Sequence, residues 1–287
     1  MNDMTNGPLP EMSEGQAREW QAILASYKSK SLLTGDIAGV DAVRMPVYDP
    51  QTGRTRKDEI LCLAVIPYRV KILIPQTEVW YNENSDRPEY VLRSMAGATT
   101  DFVITGVDQE GECCTASRRQ ALLIRRRAFQ RQNPVGRIVE ARILAVGRTQ
   151  LLAECGGYDV TLSQRDLVYN MVTDLRDQFR PGEHRRALVK AFDPETDKLS
   201  ISIKETEPHP YDGARTRHPI GSRRASVISG KYQGGVFCRL DDTIDCLCIY
   251  SPSQYDDQFH IGDPVIIVVT KFDDARKRIY GRIISKW

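Results

Sequence analysis

The chain has 287 residues, 41% hydrophobic and 27% charged, a composition that excludes disordered, collagen-like and low-complexity classes and leaves room for two or three compact domains. Forty Lys and Arg stand against 38 Asp and Glu, a formal net charge of +2, so a polyanionic partner has to be argued from where the charges fall. No apolar leader core occupies the polar first 20 residues, and no run approaches the roughly 18 apolar residues of a membrane span, so a cytoplasmic protein with no membrane partner is expected.

Residues 1–31 form a tail and a helix. Ser13 and Gln16 have capping-box spacing, and Trp20, Ile23, Leu24 and Tyr27 then fall on one apolar face that packs on the first module. Residues 32–117 form that module. It opens at Thr34-Gly35-Asp36 and carries a hairpin insertion around the turn Asp49-Pro50-Gln51-Thr52-Gly53. It ends in a hairpin that runs from Gly97 through Phe102-Val103-Ile104 to Asp108 and back through Cys114. Residues 118–133 read as a basic linker helix, with Ala121, Leu122, Ile124, Ala128 and Phe129 facing a barrel.

Residues 134–206 form a second module. It opens at Pro134-Val135-Gly136, pairs Gln150–Cys155 with Tyr158–Leu162, crosses a polar connector over Gln164–Phe179, and closes from Gly182 through Asp193 to Leu199. A linker over 207–218 leads to the third module, 219–287, which opens at Pro219-Ile220-Gly221 and closes from Gly262 through Asp273 to Ile279. In all three modules Gly and Asp are 11 residues apart, which is an internal repeat. Five short strands per period favour Greek-key barrels over a sandwich. The fold expected is mainly β: three tandem five-stranded barrels of the OB type, with an N-terminal helix and a linker helix.

Seven cysteines, most of them in apolar runs, read as small buried hydrophobes. The four His residues are not paired with Cys or carboxylate at metal-ligand spacing, so no metal and no cofactor is expected. Gly-rich phosphate loops and nucleophile elbows are missing too, and the chain reads as a non-enzyme.

These residues resemble a family: the S-one type RNA-binding domain, repeated in the largest bacterial small-subunit ribosomal protein. The Gly-to-Asp hairpins, the Pro-x-Gly openings, the closing strand Leu199–Glu205 and the second strand Gly235–Leu240 carry the resemblance, which spans about Trp20 to Ser285 and is strongest with short three-module homologues. It implies OB folds, a cytoplasmic location, RNA binding without catalysis, and single-stranded RNA and the small ribosomal subunit as partners. Of the family's two base-facing aromatics, Phe237 fits the second. The first falls on Gly234, with Tyr232 displaced by two residues, and the family's His position holds Ile249 beside Tyr250. The matching strand of the second module, Gln150–Glu154, has no aromatic.

Single-strand binding combines a basic groove with aromatic platforms. From Gly213 to Leu240 there are several Arg and Lys and no acid. The candidate RNA-binding residues are therefore Phe237, Tyr232, Lys231, Arg239, Tyr250, Lys271, Arg223 and Arg224. The linker helix adds Arg118, Arg119, Arg125, Arg126 and Arg127 as auxiliary phosphate contacts. Two other readings stay open: a protein-interaction scaffold of degenerate OB modules, and an RNA-binding accessory of a ribonuclease assembly.

Overall fold

The structure is a computed structural model and describes residues 13–49, 53–67, 69–81, 87–241 and 244–286. Helix α1 (Glu14–Ser29) starts at Ser13, whose hydroxyl accepts from Gln16 N–H while the Gln16 side chain accepts from Ser13 N–H, a complete capping box. Trp20 and Ile23 are buried in the core of the first barrel, whereas Tyr27 stays largely exposed. The buried Ser26 hydroxyl accepts from Ile104 N–H at 3.1 Å and so pins the helix to a strand.

The first barrel contains β1 (Leu33–Asp49), β2 (Arg54–Val65), β3 (Lys71–Pro75), β4 (Thr99–Asp108) and β5 (Cys113–Ser117), closed in the order β1-β2-β3-β5-β4. Its long first hairpin pairs from Ile37–Val65 out to Asp49–Arg54. The tip of the expected turn, residues 50–52, lies outside the described residues. Helix α2 (Glu89–Arg93) precedes β4, and α3 (Arg118–Gln130) follows β5, capped by the Ser117 hydroxyl.

The second sheet holds β6 (Ile138–Val146), β7 (Gln150–Cys155), β8 (Tyr158–Ser163), β9 (His184–Asp193) and β10 (Lys198–Ser202), with the short helix α4 (Gln164–Leu167) after β8. The third holds β11 (Arg223–Tyr232), β12 (Gly235–Asp241), β13 (Ile244–Ile249), β14 (Pro264–Asp273) and β15 (Arg278–Lys286), closed in the order β11-β12-β13-β15-β14. Three tandem five-stranded OB-type units therefore follow one another.

The three units differ in closure: two of the sheets close fully and the second does not. Short parallel pairs, Lys71–Leu73 with Cys113–Thr115 and Cys246–Cys248 with Ile279–Gly281, close the first and third. The second runs β10-β9-β6-β7-β8 and lacks that pair. Side chains from α3 bridge β8 and the β9–β10 hairpin beside this opening. The rings of Phe129, Tyr158 and Phe192 meet at 5.5 to 6.0 Å. Arg126 lies 4.2 Å over the Tyr158 ring, donates to the Gly157 carbonyl, and pairs with Asp197 in the β9–β10 turn. Aromatic and cation–π contacts join β8 to the last hairpin where backbone hydrogen bonds do so elsewhere.

Candidate nucleic-acid interface

Strand register identifies the same position in each sheet. The first strand of each carries a bulge one step past an inward Ile, at Ile37/Gly39, Ile143/Ala145 and Ile228/Gly230. The residue beyond the bulge pairs with Ala64, Leu152 or Phe237, and these pair onward with Leu73, Thr161 and Leu247. Of these outward-facing positions, only the one in the third barrel is aromatic. In the second sheet, Leu152 is buried with Leu144 and Ala145 in the core cluster of the first barrel, so that face is already covered.

Phe237 is half-buried and does not belong to the third barrel's core, which is built from Ile228, Val236, Cys238, Cys246 and Cys248 among others. The exposed Tyr232 ring stands edge-on to it, with centroids 6.1 Å apart and planes at 72°. The two rings therefore share one end of β11–β12 and form a small aromatic platform.

The cations around them are more committed than their spacing suggests. Lys231 pairs with Asp256 at 2.9 Å, and the Tyr250 hydroxyl donates to the same carboxylate at 2.8 Å. Lys231 and Tyr250 together hold the Asp256 carboxyl below its usual range, while burial and then Asp256 push the Tyr250 hydroxyl up. The Tyr250 ring itself is stacked on Phe259. Arg239 donates to the Met171 carbonyl at 3.0 Å. Next to it the Asp245 carboxylate accepts from Met171 N–H at 2.6 Å and from the Ser229 hydroxyl at 2.9 Å. Burial raises the Asp245 carboxyl, and the Met171 N–H opposes that shift. The second sheet's connector is thereby clamped on the outward face of the third barrel.

The remaining candidates lie apart. Arg223 and Arg224 open β11, at most about 26 and about 23 Å along the strand from Lys231 at about 3.3 Å per residue, and Arg224 donates to the Arg217 carbonyl. Lys271 is exposed on β14, which borders β11 and β15 and not β12. The acid-free stretch from Gly213 to Leu240 meets its acids from elsewhere in the chain: Asp274 for Arg215, Asp241 for Arg217 and Asp256 for Lys231.

Helix α3 is not the cationic rail that its composition suggests. Arg118 is 1% exposed and spends its donors on Asp159 in bidentate fashion, on Thr100 and on the Val79 carbonyl. Arg119 pairs with Glu78, Arg125 with Asp101 at 2.8 Å, and Arg126 with Asp197. Arg127 alone of the five is exposed with no ion pair among the described residues. The helix buries Ala121, Leu122 and Phe129 as expected, but Ile124 and Ala128 face outward.

The wall opposite Phe237 carries no sequence signal of its own. A hollow of about 460 Å³ lies between the second sheet and the third barrel. Phe237 lines it together with Arg165, Tyr169, Lys204 and His209 from the second sheet's connector, closing segment and linker, and with Arg276 and Arg278 from the last hairpin. Apart from Lys204, at the end of the closing strand, these residues come from stretches that read as spacers or turns, and no periodicity joins them.

No protein-family model matches the chain. It is similar to the small ribosomal subunit protein bS1 of Neisseria meningitidis, 22% identical over 204 residues that cover 67% of this chain and 36% of that protein. It is also similar to bS1 of Rhizobium meliloti, 24% identical over 190 residues covering 62% and 33%. A 4-hydroxy-3-methylbut-2-enyl diphosphate reductase of Clostridium acetobutylicum matches at 22% over 225 residues, 73% of this chain and 34% of that enzyme. The chain thus spans about a third of the length of the curated relatives it matches. A solved multidomain protein with nucleic acid binding domains from Streptococcus pneumoniae covers 89% of the chain and 73% of its own, at 11% identity and a TM-score of 0.20, too low to equate the two folds.

Proposed function

We propose, from the premise that the chain is an S-one-like protein, that it binds single-stranded RNA without catalysis, as mRNA or rRNA in translation, in the cytoplasm and in contact with the small ribosomal subunit. The observation that carries the reading is the position of Phe237. It is the aromatic one of three equivalent outward positions, it stays out of the barrel core, and it stands against an exposed Tyr232. Bases stack on such rings whatever their sequence. Arg223 and Lys271 serve this reading as peripheral phosphate contacts.

Titration of the full chain with a labelled single-stranded oligoribonucleotide at two salt concentrations tests it. The expected result is an affinity that falls as salt rises. Phe237→Ala weakens binding by about 1–3 kcal/mol with an unchanged circular dichroism spectrum. Undetectable binding, or binding indifferent to salt, overturns the reading. In that case the scaffold reading gains.

A further inference from the structure

We infer that the RNA strand is held in the groove between the second sheet and the third barrel, with Tyr169 and His209 as a second base platform and Arg165, Arg276 and Arg278 as its phosphate contacts. This rests on the RNA reading above and assigns the path of the strand, which runs off the face of a single barrel into the space between two.

The 460 Å³ hollow that contains Phe237 adjoins one of about 630 Å³ along the second sheet, and the two share Val168, Tyr169, Asn170, Lys204 and Pro210. Tyr169 and Lys204 therefore stand at the junction. The Tyr169 ring is half-buried and packed 4.2 Å from the His209 ring at 47°, with Lys204 4.7 Å from its centre. The His209 contact leaves the Tyr169 ring little side-chain freedom to lose, and a base reaches its face by displacing the flexible Lys204 ammonium.

His209 is a neutral platform and not a charge. Its Nδ1 accepts from Tyr211 N–H at 3.1 Å, which requires a lone pair there. Burial, and then Lys277, push its pKa down. Tyr211 in turn donates to Asp274 at 2.6 Å, so the linker that carries His209 is anchored on the third barrel while its ring rests on the second sheet's Tyr169. The platform forms only when both units are in place.

The electrostatics agree. Arg165, Arg276 and Arg278 are exposed on the groove walls and have no ion pair among the described residues. Lys277 is partly neutralised by Asp212 at 3.6 Å. Among the described residues two acids line the groove: Asp245, whose oxygens are taken by Met171 and Ser229, and Glu207 at the far end of the larger hollow. The walls hold an excess of free guanidinium over free carboxylate, which fits a phosphodiester strand.

The experiment measures fluorescence anisotropy of a labelled oligoribonucleotide of about 12 nucleotides, within the span of about 4–16 for one OB barrel, on the full chain. Tyr169→Ala is expected to weaken binding about tenfold or more, and Tyr169→Phe to restore it, since stacking needs the ring and not the hydroxyl. The triple variant Arg165→Ala, Arg276→Ala, Arg278→Ala lies on exposed positions that carry no packing. It is expected to make the slope of log affinity against log salt shallower by about 2, at about 0.7 per single-strand phosphate contact. Unchanged affinity and slope in both variants, with Phe237→Ala still impaired, overturns the groove and leaves the RNA reading standing. No binding by the unsubstituted chain overturns both.

Discussion

Arg118 and Arg127 occupy one helix and have opposite roles. The Arg118 guanidinium is enclosed, and Asp159 beside it is almost as deep, with side-chain exposures of 1% and 10%. Removing one partner of such a pair leaves an uncompensated buried charge, at a cost of about 3–5 kcal/mol. Arg118→Ala should therefore lower the unfolding free energy by about that amount in urea titration, whereas Arg127→Ala should leave it within about 0.5 kcal/mol. Equal effects would mean that Arg118 is not the strut described. Part of this difference was legible in the sequence. Arg118, Leu122, Arg126 and Phe129 recur at helical spacing and form the inward stripe, but the ordinary preference of Arg for water puts Ile124 and Ala128 on that face in place of Arg118 and Arg126. The acids that overrule the preference, Asp159 and Asp197, lie in distant strands and turns. The position of Phe237 outside the barrel core could be anticipated because a strand motif carries it. Tyr169 and His209 were not, because their ring contact exists only after two units have docked.

At the scale of the element, the repeated Asp is the clearest link between sequence and fold. Asp108, Asp193 and Asp273 each accept the backbone N–H three residues on, from Gly111, Thr196 and Arg276. The residue after that, Glu112, Asp197 or Lys277, turns left-handed with φ of 46°, 56° or 48°. The side chain thus initiates the turn that reverses the last hairpin of every unit. A left-handed backbone costs an L-residue about 1–2 kcal/mol, and glycine gives back part of that through its own entropy. Glu112→Gly should then raise stability by about 0.5–1 kcal/mol. Gly97→Ala, at φ 84° with open space around its Cβ, should lower it by about 1–2 kcal/mol. Thermal melts of the two variants should shift in opposite directions, and a shift in the same direction would remove backbone strain as the cause. The period of Gly and Asp made five strands per unit readable. The open second sheet was not readable, because what replaces its closing strand pair is the Phe129–Tyr158–Phe192 cluster, whose members come from a helix and two strands.

Across the whole molecule, the first barrel and the second sheet are joined by a buried ionic hub centred on Asp101, which is 3% exposed. Burial alone would raise its carboxyl, but hydrogen bonds from Arg142, from Thr34 at 2.6 Å and from Arg125 at 2.8 Å outweigh it and hold the pKa at about 2. Arg142 reaches across from β6 and also pairs with Glu154 on β7, so one guanidinium serves acids of both units. Close backbone contact accompanies the hub: a Cβ on Gly182 would lie 2.4 Å from the Gly97 carbonyl oxygen, which makes glycine mandatory at that crossing. An Asp whose pKa falls on folding stabilises the native state in full above its unfolded value near 4, and this contribution is lost as pH falls from there toward 2. A shift of that size corresponds to about 2 kcal/mol. The third barrel lies outside the hub; it is held by the Met171 clamp and the linker at Tyr211. Hydrogen exchange followed by mass spectrometry between pH 4 and pH 2 should therefore show the amides of β4, β6 and β7 losing protection together. Asp101→Asn should flatten that pH dependence without altering the acid response of β12 and β13. Loss of protection in β6 and β7 while β4 stays protected would show that the two units unfold separately, and that the hub does not couple them.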